Sequence, residues 1–111
     1  MLYVDNHNDI ELTRGDTGLF TIELKSTDGE DYEPQEGSSL RFAVAKKYGA
    51  TESECDLIKE IPIDTMTLEI TAEESKALPF GNYLYDIQFT DPFGRVSTVI
   101  MAKLKITKEV Y

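Results

Sequence analysis

The stretch from Leu78 to Lys108 constrains this chain more than any other. After Leu78-Pro79-Phe80-Gly81, the side chains of Tyr83, Tyr85, Ile87 and Phe89 alternate with Leu84, Asp86, Gln88 and Thr90. Asp91-Pro92-Phe93-Gly94 then supplies a four-residue turn, and Arg95 to Lys108 is again rich in strand-forming residues. Two period-2 runs joined by an Asp-Pro-x-Gly turn predict a long antiparallel hairpin. On its second strand the expected inward set is Val96, Thr98, Ile100, Leu104 and Ile106. The run Val99-Ile100-Met101-Ala102 is apolar on both faces, which predicts either a register shift near Ala102 or burial of both faces against another subunit.

Alternation recurs upstream. Ile10 and Leu12 share one face of Asp9 to Thr13, and Arg14 to Gly18 reads as a turn or bulge because two glycines in four residues permit positive φ. Leu19 to Lys25 points Phe20, Ile22 and Leu24 one way, and Ser39 to Lys47 points Leu40, Phe42 and Val44 inward with Arg41, Ala43 and Ala45 outward. Leu57 to Ile63 contains Pro62, which cannot donate to a ladder and predicts a sheet edge. Met66 to Ile70 is a further strand. Thr71 to Ala77 carries the one helical signal, a capping box formed by Thr71 and Glu74 with Pro79 as the stop. The segments 26–38 and 48–56 are polar loops.

The expected architecture is all-β: an antiparallel β-sandwich of about seven strands with one short helical turn, residues 1–111 forming a single domain. A chain of this length buries roughly 65% of its unfolded surface and holds a core without staples. Its expected core is Phe20, Ile22, Leu40, Phe42, Val44, Leu68, Tyr83, Tyr85, Ile87 and Phe89. The motif Leu-Pro-x-Gly-x-Tyr places the Tyr83 ring in that core with its hydroxyl on nearby backbone, in the manner of a tyrosine corner.

Charge and composition work by exclusion. With 21 acidic and 11 basic side chains the net charge is −10, which repels nucleic acid and anionic membrane surfaces. No apolar run approaches the roughly 20 residues of a membrane span, and Met1-Leu2-Tyr3-Val4-Asp5 has no signal-peptide character, so synthesis and folding in a reducing cytosol are expected. Cys55 lies among acids that disfavour its thiolate. Asp5-Asn6-His7-Asn8-Asp9 resembles a calcium loop, but an EF-hand counted from Asp5 would need glycine and glutamate where Ile10 and Asp16 stand. A different calcium site built from Asp5, Asp9, Asp16 or the loop acids is the alternative. One histidine and one cysteine do not make a nucleophilic triad, and no phosphate loop or dinucleotide fingerprint occurs. The expectation is a non-enzyme without catalytic, cofactor or metal residues and without a small-molecule substrate. Arg14-Gly15-Asp16 matches an adhesion tripeptide, but so short a match arises by chance and the glycine-containing turn needed between two strands accounts for it.

The sequences Ile10 to Thr17 followed by Phe20-x-Ile22-x-Leu24, Glu36 to Val44, Ile70-Thr71, Leu78 to Ile87 and Lys105-Ile106-Thr107 resemble, in this order, small β-sandwich proteins of phages and prophages of Gram-positive bacteria. The likeness covers about Asp9 to Glu109 and is similar to the N-terminal module of baseplate upper proteins. It implies an immunoglobulin-like fold and a non-enzymatic tail or baseplate part, made in the host bacterial cytoplasm and then built into the virion. Its partners would be other virion proteins or further copies of itself. An end at Tyr111, directly after the last strand, favours scaffold or adaptor over host recognition. The alternative is a cell-surface or polysaccharide-binding module, which the missing tryptophan disfavours.

The expected contact is the second hairpin strand, with Val99, Met101, Lys103 and Lys105 as candidate interface residues. Lys103, Lys105 and Lys108 would face an acidic surface such as the loop carrying Asp28, Glu30, Asp31, Glu33 and Glu36 of a neighbouring copy.

Overall fold

In the computed structural model, which describes residues 2–4, 7–25 and 29–110, the chain runs β1 (Leu2–Val4), β2 (Ile10–Thr13), β3 (Gly18–Thr21), β4 (Ser39–Ala45), β5 (Leu57–Ile61), β6 (Thr67–Ile70), α1 (Ala72–Ala77), β7 (Gly81–Thr90) and β8 (Val96–Thr107). A single 3-10 turn, Glu52–Glu54, lies between β4 and β5. Six strands form one sheet in the order β1-β2-β8-β7-β4-β5, and β3 pairs with β6 in a two-stranded ribbon. The architecture is all-β and sandwich-like. β1 lies outside the segments that alternation marks as strands, so the described residues hold eight strands where about seven are expected.

The hairpin of β7 and β8 is the spine of the large sheet. Asp91 closes its turn: its carbonyl accepts the Gly94 N–H at 3.0 Å, and its Oδ1 accepts the Phe93 and Arg95 N–H groups, each at 2.9 Å. Gly94 has φ +85°, a conformation that costs glycine least. The expectation of a purely antiparallel sandwich needs one correction, because β2 pairs with β8 in parallel from Ile10↔Leu104 to Thr13↔Thr107. Parallel neighbours require a long crossover, and here the whole domain between the two strands serves as one. Such a non-local pairing leaves no mark in local alternation.

The inner face of the large sheet carries Ile10, Leu12, Leu40, Phe42, Val44, Ile61, Tyr83, Tyr85, Ile87, Phe89, Ala102, Leu104 and Ile106. Leu68 and Ile70 of β6, with Ile22, Leu24 and Leu78, complete the same cluster. Phe20, expected within it, is only half-buried and packs at its margin. The strand expected to reach Lys25 ends its ladder with β6 at Thr21; beyond it Lys25 forms only an isolated bridge with Asp31, although Ile22 and Leu24 remain buried. The Tyr83 hydroxyl donates to the Pro79 carbonyl at 2.6 Å, as the tyrosine-corner reading expects, and the Tyr85 hydroxyl donates to the Asn8 carbonyl. β5 is one of the two outer strands of the sheet, with Pro62 just beyond its last paired residue.

α1 starts as its capping box dictates: the Thr71 hydroxyl accepts the Glu74 N–H at 3.2 Å, and Glu74 Oε1 accepts the Thr71 N–H at 2.9 Å. Buried Ser75 ties the helix to the β2–β3 turn by donating to the Asp16 carbonyl at 2.7 Å and accepting the Gly15 N–H at 3.0 Å.

The register of the hairpin shifts once. Ile87 faces Ile100 and Gln88 faces Thr98, so Val99 is an extra residue on β8. This bulge lies three residues before the expected place near Ala102. It reverses the parity of everything before it, and Val96 and Thr98, expected inward, therefore stand opposite Thr90 and Gln88 on the outer face. Ser97, opposite Phe89, takes the inner position instead.

Candidate interaction surface

The outer face of the six-stranded sheet can be read across as rows of cross-strand partners. One row runs Glu60, Arg41, Gln88 and Thr98; the next runs Ile58, Ala43, Asp86 and Met101. A third joins Ala45, Leu84 and Lys103, and a fourth joins Asn82, Lys105 and Glu11. All of these positions follow from the period of two along β4, β7 and β8.

The four candidate interface residues lie on β8 but not in one environment. Met101, Lys103 and Lys105 project from the outer face, and Met101 is 58% exposed. Val99 sits in the bulge, out of register with that series, and is 38% exposed. The bulge therefore accounts for only part of the double-apolar run: Ala102 is buried and Ile100 packs on the core, whereas Met101 and Val99 remain uncovered among the described residues.

Most bases of the chain are engaged. Arg14 and Lys76 meet Glu109, Lys47 meets Glu54, Lys59 meets Glu74, Arg95 meets Asp91, and Lys25 meets Asp31. Among the described residues Lys103 and Lys105 have no ion pair, which gives this face of an acidic protein two uncommitted positive charges. Lys108 lies beyond β8, with its Nζ 5.2 Å from the centre of the Phe80 ring. Of the acidic loop expected to complement these lysines, Glu30, Asp31, Glu33 and Glu36 are exposed, and Asp28 lies outside the described residues.

The strand edge beside this face is guarded. β2 pairs with β8 only from Leu104 onward, and one rung earlier Asp9 Oδ1 accepts the Lys103 N–H at 2.9 Å. A side chain thus replaces the backbone partner. With the bulge at Val99, this discourages pairing along the remaining edge of β8.

A concavity of about 290 Å³ opens on the same face. Its floor is Arg41, Ala43 and Ala45 of β4, Leu84, Asp86 and Gln88 of β7, and Met101 of β8; Lys47, Tyr48, Gly49, Ala50 and Cys55 form its wall. Ala45 is only 8% exposed although it points outward, and residues of the 46–56 segment line the concavity beside it. That segment is shaped by the 3-10 turn, where Glu54 Oε1 accepts the Thr51 N–H at 3.1 Å and Glu54 Oε2 meets Lys47 Nζ at 2.7 Å. These bonds, led by the one from Lys47, hold the Glu54 carboxyl below its ordinary pKa. The sequence marks Asp86 as outward-facing. Nothing in the sequence shows that it shares a cavity with a loop more than 30 residues upstream.

The other sequence features are accounted for structurally. Arg14 of the Arg14-Gly15-Asp16 tripeptide donates from Nε to the Leu78 carbonyl at 3.0 Å and from Nη1 to Glu109 at 3.1 Å, so its guanidinium binds the chain itself. Cys55 is half-buried, its Sγ 3.5 Å from the Thr51 carbonyl. His7 is exposed, Asp9 caps Lys103, and Asp5 lies outside the described residues. Among the described residues no three His, Cys, Asp or Glu side chains gather into a metal-binding group, and no helix is long and apolar enough to cross a membrane. Compared with models of known families and with curated proteins, the chain matches none of them.

Proposed function

We propose that this chain is a non-enzymatic structural protein of a phage or prophage virion, a tail or baseplate component or adaptor with an immunoglobulin-like β-sandwich. It acts through protein–protein contacts made by the outer face of its large sheet. The order of motifs from Ile10 to Thr107 supports the family reading. The observation that carries the contact is the exposed Met101, flanked by Val99 and by Lys103 and Lys105, on a sheet face that the described residues leave largely open. An apolar centre with an uncommitted basic rim fits an acidic protein surface, whether another virion protein or the 30–36 loop of a second copy.

Sedimentation at micromolar concentration, at low and high salt, alone and mixed with the products of adjacent structural genes, tests this reading. Association should weaken as salt rises, because exposed charges are screened beyond about 8 Å at physiological ionic strength. Met101→Glu should abolish it. Association unchanged by Met101→Glu would remove this face as the interface.

A further inference from the structure

Asp86 occupies an unusual place for a carboxylate. Its cross-strand neighbours are Ala43 on one side and Met101 on the other, with Ile58 beyond Ala43. Its Oδ1 is buried and has no hydrogen-bond partner. A buried polar atom without a hydrogen-bond partner is costly, and each one calls for an explanation.

The nearby cations do not supply the missing donor. Arg41 Nη2 is directed to Gln88 Oε1 at 2.9 Å, and Lys47 is drawn away to Glu54 at 2.7 Å. Between Arg41 and Gln88 on one side and the wall on the other, the floor at Ala43, Ala45 and Leu84 is apolar, and the two alanines leave room where larger side chains would fill the concavity. Met101, unbranched and flexible, borders the carboxylate and can move aside without backbone change.

We infer that this concavity is a subsite for the cationic end of a lysine or arginine side chain presented by a partner protein, with Asp86 as its counter-ion and Ala43, Ala45 and Leu84 against its alkyl stem. The carboxylate oxygen without a donor selects an N–H-bearing cationic end, Arg41 being engaged with Gln88 and the charge of Lys47 met by Glu54, and the narrow alanine floor fits an unbranched stem. The inference rests on the reading of the outer face as a protein contact, and it assigns that contact a central charged anchor beside the apolar Met101.

Titration of the isolated 15N-labelled protein with n-butylguanidinium and n-butylammonium, which reproduce the two side-chain ends, tests the subsite separately from any assembly. Sedimentation reports the docking surface, whereas this titration reports the anchor alone. Probes this small bind in the millimolar range at best. The amides of Ala43, Asp86 and Met101 should shift saturably, and Asp86→Asn should weaken binding by about tenfold or more, the worth of one charge-assisted hydrogen bond. Ala43→Leu, which fills the floor and keeps the carboxylate, should also abolish it. Equal binding of the neutral n-butylurea to the unaltered protein would overturn the inference, as would unchanged affinity in Asp86→Asn. Spermidine binding far more tightly than either probe would overturn a protein side chain as the occupant.

Discussion

Asp9 Oδ1 accepts the backbone N–H of Lys103 at 2.9 Å, one rung before Ile10 and Leu104 begin the parallel ladder. A carboxylate here does what the next backbone carbonyl would otherwise do, and it ends the sheet without leaving that N–H open. Asp9→Ala should cost about 1.5–3 kcal/mol, the range for a hydrogen bond to a charged group, while Asp9→Asn retains an acceptor and costs less. Denaturant midpoints give the stabilities, and hydrogen exchange at the Lys103 amide reports the bond directly. An unchanged exchange rate in Asp9→Ala would separate Asp9 from the edge.

The core predicts its own weakest substitution. Phe42 is fully buried between the partner strands of β4 and has its ring centre 5.4 Å from that of Tyr85. Phe42→Ala should cost about 3–5 kcal/mol by cavity formation, a large share of the roughly 5–15 kcal/mol available to a domain. A loss below about 1 kcal/mol, measured by denaturant unfolding, would contradict its central position.

Acid should loosen the fold at two identifiable carboxyls. Burial pushes the Glu74 pKa up, but the bonds it accepts from Lys59 and Thr71 outweigh this and hold it below its ordinary value. The hydrogen bond from Lys76, aided by the charge of Arg14, does the same for Glu109 despite some desolvation. Groups with a depressed folded-state pKa stabilise above the unfolded-state value, about 4.3 for glutamate, and that stability is lost as pH falls through the folded-state pKa. Unfolding midpoints should therefore decline below that region. Glu74→Gln should flatten the decline, and a slope identical to that of the unaltered protein would exclude Glu74 as a contributor.

Local chemistry made much of this fold readable in advance. Phe42, Leu40 and Val44 are buried where strict alternation puts them, Thr71 and Glu74 cap α1, and Tyr83 reaches the Pro79 carbonyl. What was not readable depends on contacts between distant segments. The parallel placement of β2 beside β8 joins residues more than 90 apart, and the exposure of Phe20 depends on how far the β3–β6 ribbon extends over the core. The outer-face concavity brings the 46–56 loop beside Ala45 and Asp86, a tertiary event that no period-2 pattern encodes. Met101, Lys103 and Lys105 are legible as one outward series, whereas Val99 drops out of it because it is itself the one unpaired residue of the strand.

That residue makes the last prediction. Val99 is the extra member of β8, so deleting it places Thr98 next to Ile100 and lets Gln88↔Thr98 and Ile87↔Ile100 follow one another in a regular ladder. No side chain on either flank changes face, because the deletion removes the parity break together with the residue that causes it. The shortened chain should fold with stability within about 1 kcal/mol of the original, and cross-strand contacts of Asp86 with Met101 should persist in its NMR spectra. The β8 segment ahead of Leu104 has no strand partner on its other side among the described residues, and a bulge protects such an edge by twisting it away from flat pairing. Straightening it should therefore raise self-association in sedimentation, and adding Asp9→Ala should raise it further. A deletion variant that stays as dispersed as the original protein would show that the bulge shapes the sheet without guarding its edge.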